Sequence, residues 1–284
     1  MKAQEILIEQ GTPEWLALRK EKIGSSDAAV CMEVSKWRSP YQLWCEKLDL
    51  IPAQEVNSSM LRGHELEPIA RDLFCSITGI KVSPKVFVKD FQIASFDGVS
   101  ECNSQAVEIK CPGKIDHECA LSGKIPDHYY PQLQHQMSVL DLKRMYYFSF
   151  YDNSPAFVIA ERDDHYCEKL LDKEAKFYQY LQTLESPPLC DRDYVDRNDS
   201  DWFEKAQEWH RINRQLKSLE NREHQLRQDL IELAQGKNCK GAGIKISSSL
   251  RRGNIDYSKI PDISSVDLDK YRKPKTVVWR LGEI

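Results

Sequence analysis

SFDGVSECNSQAVEIKCP, residues 95–112, is the stretch on which the reading of this chain turns. Asp97 stands in an Asp-Gly pair, which predicts a tight turn, and Glu108-Ile109-Lys110 closes the alternating run Ala106 to Lys110. Side chains on a strand repeat every two residues, so Glu108 and Lys110 share one face while Val107 and Ile109 share the other. A hairpin through Gly98 and the Asn103-Ser104 turn would set Asp97 beside Glu108. Two hard carboxylates and a lysine on one face suit a divalent cation that takes oxygen ligands, with a basic group at an attacking water. The pattern is D-x(n)-(D/E)-x-K. An alternating charged strand is also what a solvated sheet face looks like, so the flanking sequence decides between the two.

The 284 residues allow one large domain, or one domain with an appendage, and a substantial core. With 30% charged and 41% hydrophobic residues the composition is that of a globular protein. No apolar run approaches the ~20 residues that span a bilayer, and MKAQEILIEQ lacks the apolar centre of a signal peptide. Nine cysteines, scattered without a CxxC pair, read as reduced thiols. A cytoplasmic location is the expectation. The net charge of −4 hides an asymmetry: residues 1–190 hold 21 Lys/Arg against 28 Asp/Glu, and residues 237–280 hold 11 against 4. An acidic body cannot hold nucleic acid by bulk attraction, so contact would need local basic patches, and the tail around Arg251 and Arg252 is one candidate.

Helix starts are marked at Thr12-Pro13-Glu14 and Ser39-Pro40, and Ser25-Ser26-Asp27 caps a short helix between them. A long helix is expected from Ser58 to Thr78, then strands Lys81–Lys89, Phe91–Ser95, Gly98–Cys102 and Gln105–Lys110. Helices Ile115–Leu121 and Gln132–Leu140 precede the aromatic run Met145–Tyr151, a buried strand with Phe157–Ala160 as its hairpin partner. An amphipathic helix covers Asp163 to Leu184. The Ser-Pro-Pro block at 186–188 suggests a division after residue 190. Beyond it, residues 201–235 carry a heptad-like seam (Trp209/Ile212, Leu216/Leu219, Leu226, Leu230/Leu233), fit for packing on the same chain or on a second copy. The tail 237–284 is expected to be β-rich, with a basic Arg251-Arg252-Gly253-Asn254 hairpin turn and TVVWRL as a closing strand. His64, His117, His128 and His135 have no metal-ligand spacing and read as structural or surface residues.

Five blocks stand in order: EWLALRKEKIGSSDAA (14–29), RGHELEPIARDLF (62–74), SFDG (95–98), VEIKCP (107–112) and YYPQLQHQM (129–137). Together they resemble the YqaJ-type viral recombinases, the phage lambda exonuclease family within the PD-(D/E)XK nucleases. The resemblance covers about residues 10–185 and implies an α/β fold, a mixed central sheet flanked by helices, here with a long C-terminal helix and a small β-rich tail. It implies Asp97, Glu108 and the Ile109 carbonyl as ligands of Mg²⁺ or Mn²⁺. Glu67 would be a further catalytic acid that faces the metal; Glu65 competes for that place, and the family spacing Gly-x-x-x-Glu from Gly63 selects Glu67. Lys110 would orient or deprotonate the attacking water and offset charge on phosphorus, and Gln132 would hold that water or the scissile phosphate. Arg19 and Ser26 match the family's terminal-phosphate pocket, and Ser95, close to Asp97, would help hold the same strand.

The activity so implied is metal-dependent 5′-to-3′ digestion of linear double-stranded DNA, leaving 3′ single strands for phage-type recombination in a bacterial host. A single-strand annealing protein and a ring-shaped trimer around DNA are the partners the resemblance implies. A structure-specific or restriction-type endonuclease and a catalytically inactive DNA-binding scaffold stay open as alternatives.

Overall fold

The computed structural model describes residues 2–52 and 58–248. The chain divides into two compact units, Met1–Asp196 and Arg197–Ile284. The first unit opens with strand β1 (Gln4–Ile6), helix α1 (Pro13–Glu21), the short strand β2 (Ile23–Gly24) and a 3-10 turn at Ser25–Asp27. Helices α2 (Ala28–Cys31), α3 (Pro40–Lys47) and α4 (Ser58–Thr78) follow, then strands β3 (Ser83–Lys89), β4 (Gln92–Val99) and β5 (Ala106–Lys110). Helices α5 (Lys114–Leu121) and α6 (Tyr130–Leu140), strands β6 (Arg144–Tyr151) and β7 (Ser154–Glu161), and helix α7 (Asp164–Thr183) complete it.

The helix starts at Thr12 and Ser39 have the caps their sequences announce. Ser25-Ser26-Asp27 instead forms a 3-10 turn in which neither serine caps α2. The Ser25 hydroxyl has no hydrogen-bond partner among the described residues, and the Ser26 hydroxyl accepts from Arg19. The Thr12 hydroxyl accepts from Trp15 N at 3.3 Å ahead of Pro13. Ser39 and Gln42 exchange side-chain-to-backbone bonds across the start of α3, at 3.0 and 3.1 Å, and Asp163 accepts from Tyr166 N at the start of α7. Each bond satisfies an N–H that the first helical turn leaves without a partner.

The strands form one mixed sheet in the order β1-β3-β4-β5-β6-β7, with β2 as a seventh strand on β4. The pairs β5–β6 and β2–β4 are parallel and the rest antiparallel. A parallel pair needs a crossover, which α5 and α6 supply between β5 and β6. Helix α6 lays Leu133, Met137 and Val139 on Phe87, Phe96 and Tyr147. Ala70 and Phe74 of α4 pack with Val107, Ile109, Phe148 and Phe150. A third apolar cluster joins Ile23 and Val30 to Leu43, Trp44, Phe177 and Leu181 from α3 and α7. The α/β sheet with flanking helices is the architecture expected from the sequence.

Two local expectations fail. Asp97-Gly98 is not a turn: both residues lie inside β4, which runs unbroken from Gln92 to Val99. The reversal falls at Ser100–Gln105, where Ser100 N donates to Gln105 O at 2.9 Å and Asn103 takes a φ of 56°. Gly98 is required for space rather than for φ. A Cβ there would stand 2.5 Å from Val82 Cγ2 and 2.8 Å from Val107 Cγ1. The division expected after residue 190 falls at Asp196 instead, because residues 191–193 bond back to α3 and the loop before it. Arg192 donates to Ser35 O at 3.0 Å, and Asp193 accepts from the Ser39 hydroxyl.

In the second unit, helix α8 (Ser200–Ala234) is capped by Asp199, which accepts from Trp202 N at 3.0 Å. Its seam residues Ile212, Leu216, Leu219, Leu226 and Leu233 are exposed. Strands β8 (Cys239–Gly241) and β9 (Ile244–Ile246) form a hairpin that turns at Ala242-Gly243, both at positive φ. Arg251, Arg252 and the expected closing strand lie outside the described residues. Among the described residues no helix is long and apolar enough to cross a membrane.

Gly98→Ala should destabilise the first unit by about 1–3 kcal/mol through overpacking between Val82 and Val107. Urea denaturation followed by circular dichroism measures it. A midpoint equal to that of the wild type would show that the two valines can move apart.

Candidate functional site

Strands β4 and β5 pair only at Gly98↔Val107 and Val99↔Ala106 before they part. Asp97 and Glu108 occupy the next step. There the Asp97 carboxylate takes the place of a strand carbonyl and accepts from Ile109 N at 2.7 Å. Glu108 is 2% exposed, and three donors meet its carboxylate. Lys110 Nζ reaches Oε1 at 2.5 Å, Gln132 Nε2 reaches the same oxygen, and Gln136 Nε2 reaches Oε2 at 2.6 Å. Lys110 also stands 5.4 Å from the centre of the Tyr129 ring.

Gln132 and Gln136 lie four apart on α6 and therefore on one face. The Gln136 amide nitrogen is shared with Ser95 O at 2.9 Å, so one side chain ties the acidic pair to β4. Both of its partners are acceptors, which fixes how the amide is turned. Its own oxygen is buried with no hydrogen-bond partner among the described residues. Gln136 was not expected from the sequence. The spacing of four from Gln132 was the available signal, but helix glutamines are usually solvated.

Glu67 approaches from α4, half-buried, while Glu65 is exposed. The Glu67 carboxylate accepts from Arg71, one turn on, and Arg71 Nε donates to Asp97 O at 2.6 Å. Arg71 thus joins the first acid to the hairpin acids, another link that the sequence reading missed. Burial, and then the neighbouring Glu108, push the Asp97 carboxyl well above the usual carboxylate range, against the pull of Lys110. Burial alone would pull the Lys110 ammonium down, but Glu108 and Asp97 outweigh it and the shift is upward.

The donor chemistry fits a hard divalent cation. Asp97 and Glu108 are carboxylates on adjacent strands, and their mutual repulsion already raises Asp97, which an added cation would relieve. Among the described residues no group of three or more His, Cys, Asp and Glu forms a ready cage, and Glu67 is engaged by Arg71. A cation here would complete its shell with water or substrate oxygen, as Mg²⁺ commonly does.

A second polar cluster is centred on Asp27, buried at the 3-10 turn after β2. Its Oδ2 accepts from Gly24 N at 2.9 Å and pairs with Lys47 at 2.8 Å, while Arg38 and Arg19 stand 3.9 and 4.0 Å from Oδ1. Burial opposes ionisation, yet Lys47, Arg19 and Arg38 together hold the Asp27 carboxyl down at about 2. Arg38 is also paired with Glu46 at 2.5 Å, so three cations meet two acids and a local excess of one positive charge remains. Arg19 donates to the Ser26 hydroxyl at 2.7 Å and lies over the Trp15 ring, 4.6 Å from its centre. Trp15 Nε1 donates to the Ser95 hydroxyl at 3.0 Å. Arg19, Ser26 and Ser95 are therefore linked through Trp15, and Ser95 connects them through Gln136 to Glu108. Arg251 and Arg252 cannot be placed with either cluster, since they lie outside the described residues.

The four histidines differ. His64 is exposed, whereas His117, His128 and His135 are buried. Both His135 nitrogens face acceptors, Glu174 Oε1 at 2.7 Å and Ile93 O at 3.1 Å. Burial would lower its pKa, but Glu174 prevails and raises it. Gln92 completes the group with a 2.7 Å bond to the other Glu174 oxygen.

Residues 14–143 match the profile of the YqaJ-like viral recombinase domain. The chain is 29% identical over 179 residues to the uncharacterized protein YqaJ of Bacillus subtilis (strain 168), a match covering 60% of this chain and 56% of that one. It thus spans little more than half the length of that relative. An alkaline exonuclease from Laribacter hongkongensis is 29% identical, with a TM-score of 0.53 over 61% of this chain and 94% of that one. The same enzyme in complex with dAMP gives 28% identity and a TM-score of 0.53 over the same shares, 61% and 94%. The resemblance read from the five blocks and the fold expected with it are both borne out.

Asp27→Asn should destabilise the first unit by about 3–5 kcal/mol, because it removes the carboxylate that neutralises the buried Lys47 ammonium and leaves it the neutral Arg19 and Lys22 carbonyls. The depressed pKa means that the acid's stabilising contribution is complete above its ordinary 3.8 and is lost as pH falls through about 2. Denaturation midpoints of wild type and variant should therefore converge as pH drops across that window. A constant gap between them would refute the assignment.

Proposed function

We propose that this chain, whose residues 14–143 match the YqaJ-like viral recombinase domain, is a metal-dependent exonuclease that digests linear double-stranded DNA from 5′ ends and leaves 3′ single strands. The observation that carries this reading is the joined set of Asp97, Glu108 and Lys110 on two parting strands, with Gln132 on the same carboxylate. Likeness to the alkaline exonuclease of Laribacter hongkongensis supports it.

Asp97, Glu108 and the Ile109 carbonyl would hold Mg²⁺ or Mn²⁺, with Glu67 as a further acid. When bound, the ion would supply Lewis-acid stabilisation to phosphoryl oxygens. The chain's own groups do the positioning. Gln132 and Gln136 fix the Glu108 carboxylate, and the Ile109 amide fixes Asp97. Lys110 orients the attacking water and offsets the charge that builds on phosphorus. Arg19 and Ser26 receive a terminal 5′-phosphate in the positive field around Asp27, through charge-assisted bonds, and Ser95 holds the same strand. The product strand would pass to a single-strand annealing protein, the enzyme working as a ring-shaped trimer around DNA in a phage or prophage setting. The tail with Arg251 and Arg252 would add phosphate contacts.

Asp97→Ala, Glu108→Ala and Lys110→Ala should each cut digestion of linear duplex by roughly a hundredfold or more, and EDTA should abolish it in the wild type. Near-normal turnover by Glu108→Ala would sink the assignment. A covalently closed circle should stay intact; if it is cut, the protein is an endonuclease. If neither circle nor linear duplex is touched, it is an inactive scaffold.

The pocket makes a separate prediction. Duplexes with a 5′-phosphate should be digested faster than those with a 5′-hydroxyl, and Arg19→Ala should erase the difference. Equal wild-type rates on the two ends would remove the pocket and leave the nuclease reading in place.

A further inference from the structure

Trp37 lies in the loop between α2 and α3 and is 58% exposed, although it is a large aromatic flanked by Lys36 and Arg38. The loop is held from two sides. The Ser35 hydroxyl accepts from Trp37 N and Arg38 N, both at 3.3 Å, and Arg192 donates to Ser35 O at 3.0 Å and Arg38 O at 3.5 Å. The indole is therefore presented on a fixed backbone.

Its place between the two polar clusters gives it meaning. On one side Arg38, its neighbour in sequence, shares Asp27 with Arg19, the residue that reaches Ser26. On the other side the Trp37 ring meets His128 edge-on, with centroids 5.0 Å apart, and His128 lies 4.1 Å from Tyr129. Tyr129 is the ring beside Lys110. An unbroken series of contacts thus leads from the Arg19 cluster through Trp37 to the lysine of the acidic site.

From this we infer that Trp37 is a stacking platform for a nucleobase of the bound strand, set between the terminal phosphate and the bond to be cleaved. The inference rests on the nuclease reading above. The indole stands on a series of residues that joins the two places such a strand would touch, Arg19 at its end and Lys110 at the acidic site. Every base offers a π-face, so stacking there holds a strand without selecting sequence. Exposed Lys36 supplies the charge that a phosphate-bearing ligand requires, while Arg38 is held by Glu46 at 2.5 Å and by Asp27. His128, buried with its Nε2 3.2 Å from Asp116 Oδ2, packs at nearly a right angle to the indole.

The test uses the full chain in calcium, to slow hydrolysis, and a 5′-phosphorylated linear duplex with 2-aminopurine near that end. Binding of the wild type should quench the probe. Trp37→Ala should abolish most of the quench and weaken end binding about tenfold, while Trp37→Phe should retain both. With abasic positions in place of the first bases, wild type and Trp37→Ala should bind alike. Equal affinity of Trp37→Ala and wild type for intact ends would overturn the inference and leave the nuclease reading standing. So would a loss that persists on abasic DNA, or one that Trp37→Phe shares. A wild type that binds no DNA end at all would overturn both.

Discussion

A carboxylate sealed inside the sheet is the constraint around which the first unit is arranged. Glu108 is almost wholly withdrawn from water, where an unmatched negative charge would cost several kcal/mol. Lysine, two glutamine amides and the geometry that brings them together answer that charge. Helix α6 must approach β5 closely enough for two of its side chains to reach one carboxylate. Strand β4 must part from β5 early enough for Asp97 to take an amide in place of a strand bond. The crossover through α5 and α6 serves both demands.

The same solution recurs at two other buried acids. Asp27 gathers Lys47, Arg38 and Arg19, and Glu174 is met by His135 and Gln92. His135 sits between Gln132 and Gln136 in sequence but reaches Glu174 and Ile93 O rather than Glu108. Helix α6 is thereby tied to β4 on one side through Ile93 O and to the acidic pair on the other. A shift of this helix would have to break a buried ion pair and the Glu108 bonds at once. That coupling makes the position of the two glutamines a property of the core.

What could be read in advance follows from the range of the interactions. The two-residue period of a strand was enough to place Glu108 and Lys110 together, and caps such as Thr12 and Ser39 announced their helices because their partners lie three residues away. The Asp97-Gly98 pair misled, since glycine beside aspartate usually signals a turn, whereas here glycine answers two valines. One of them, Val82, belongs to a neighbouring segment that local sequence does not reveal. His135 gave no sign of its role because Glu174 lies far along the chain, and Gln136 looked like any surface glutamine. The end of the first unit was misjudged for the same reason. The prolines at 187 and 188 read as a stop, but the residues after them bond to a loop near the start of the chain.

That return has a consequence in time. Arg192 reaches Ser35 across 157 positions of sequence, and Asp193 reaches Ser39 across 154. During synthesis the loop bearing Trp37 emerges early, but its clamp emerges only after every strand of the sheet and all of α7. The order of translation and the order of completion are therefore opposed: the loop made among the first is among the last to be secured, a contact of high sequence separation and high closure entropy. A nascent chain halted between the end of α7 and residue 192 holds every strand of the sheet and still lacks the fastening of its own amino-terminal loop.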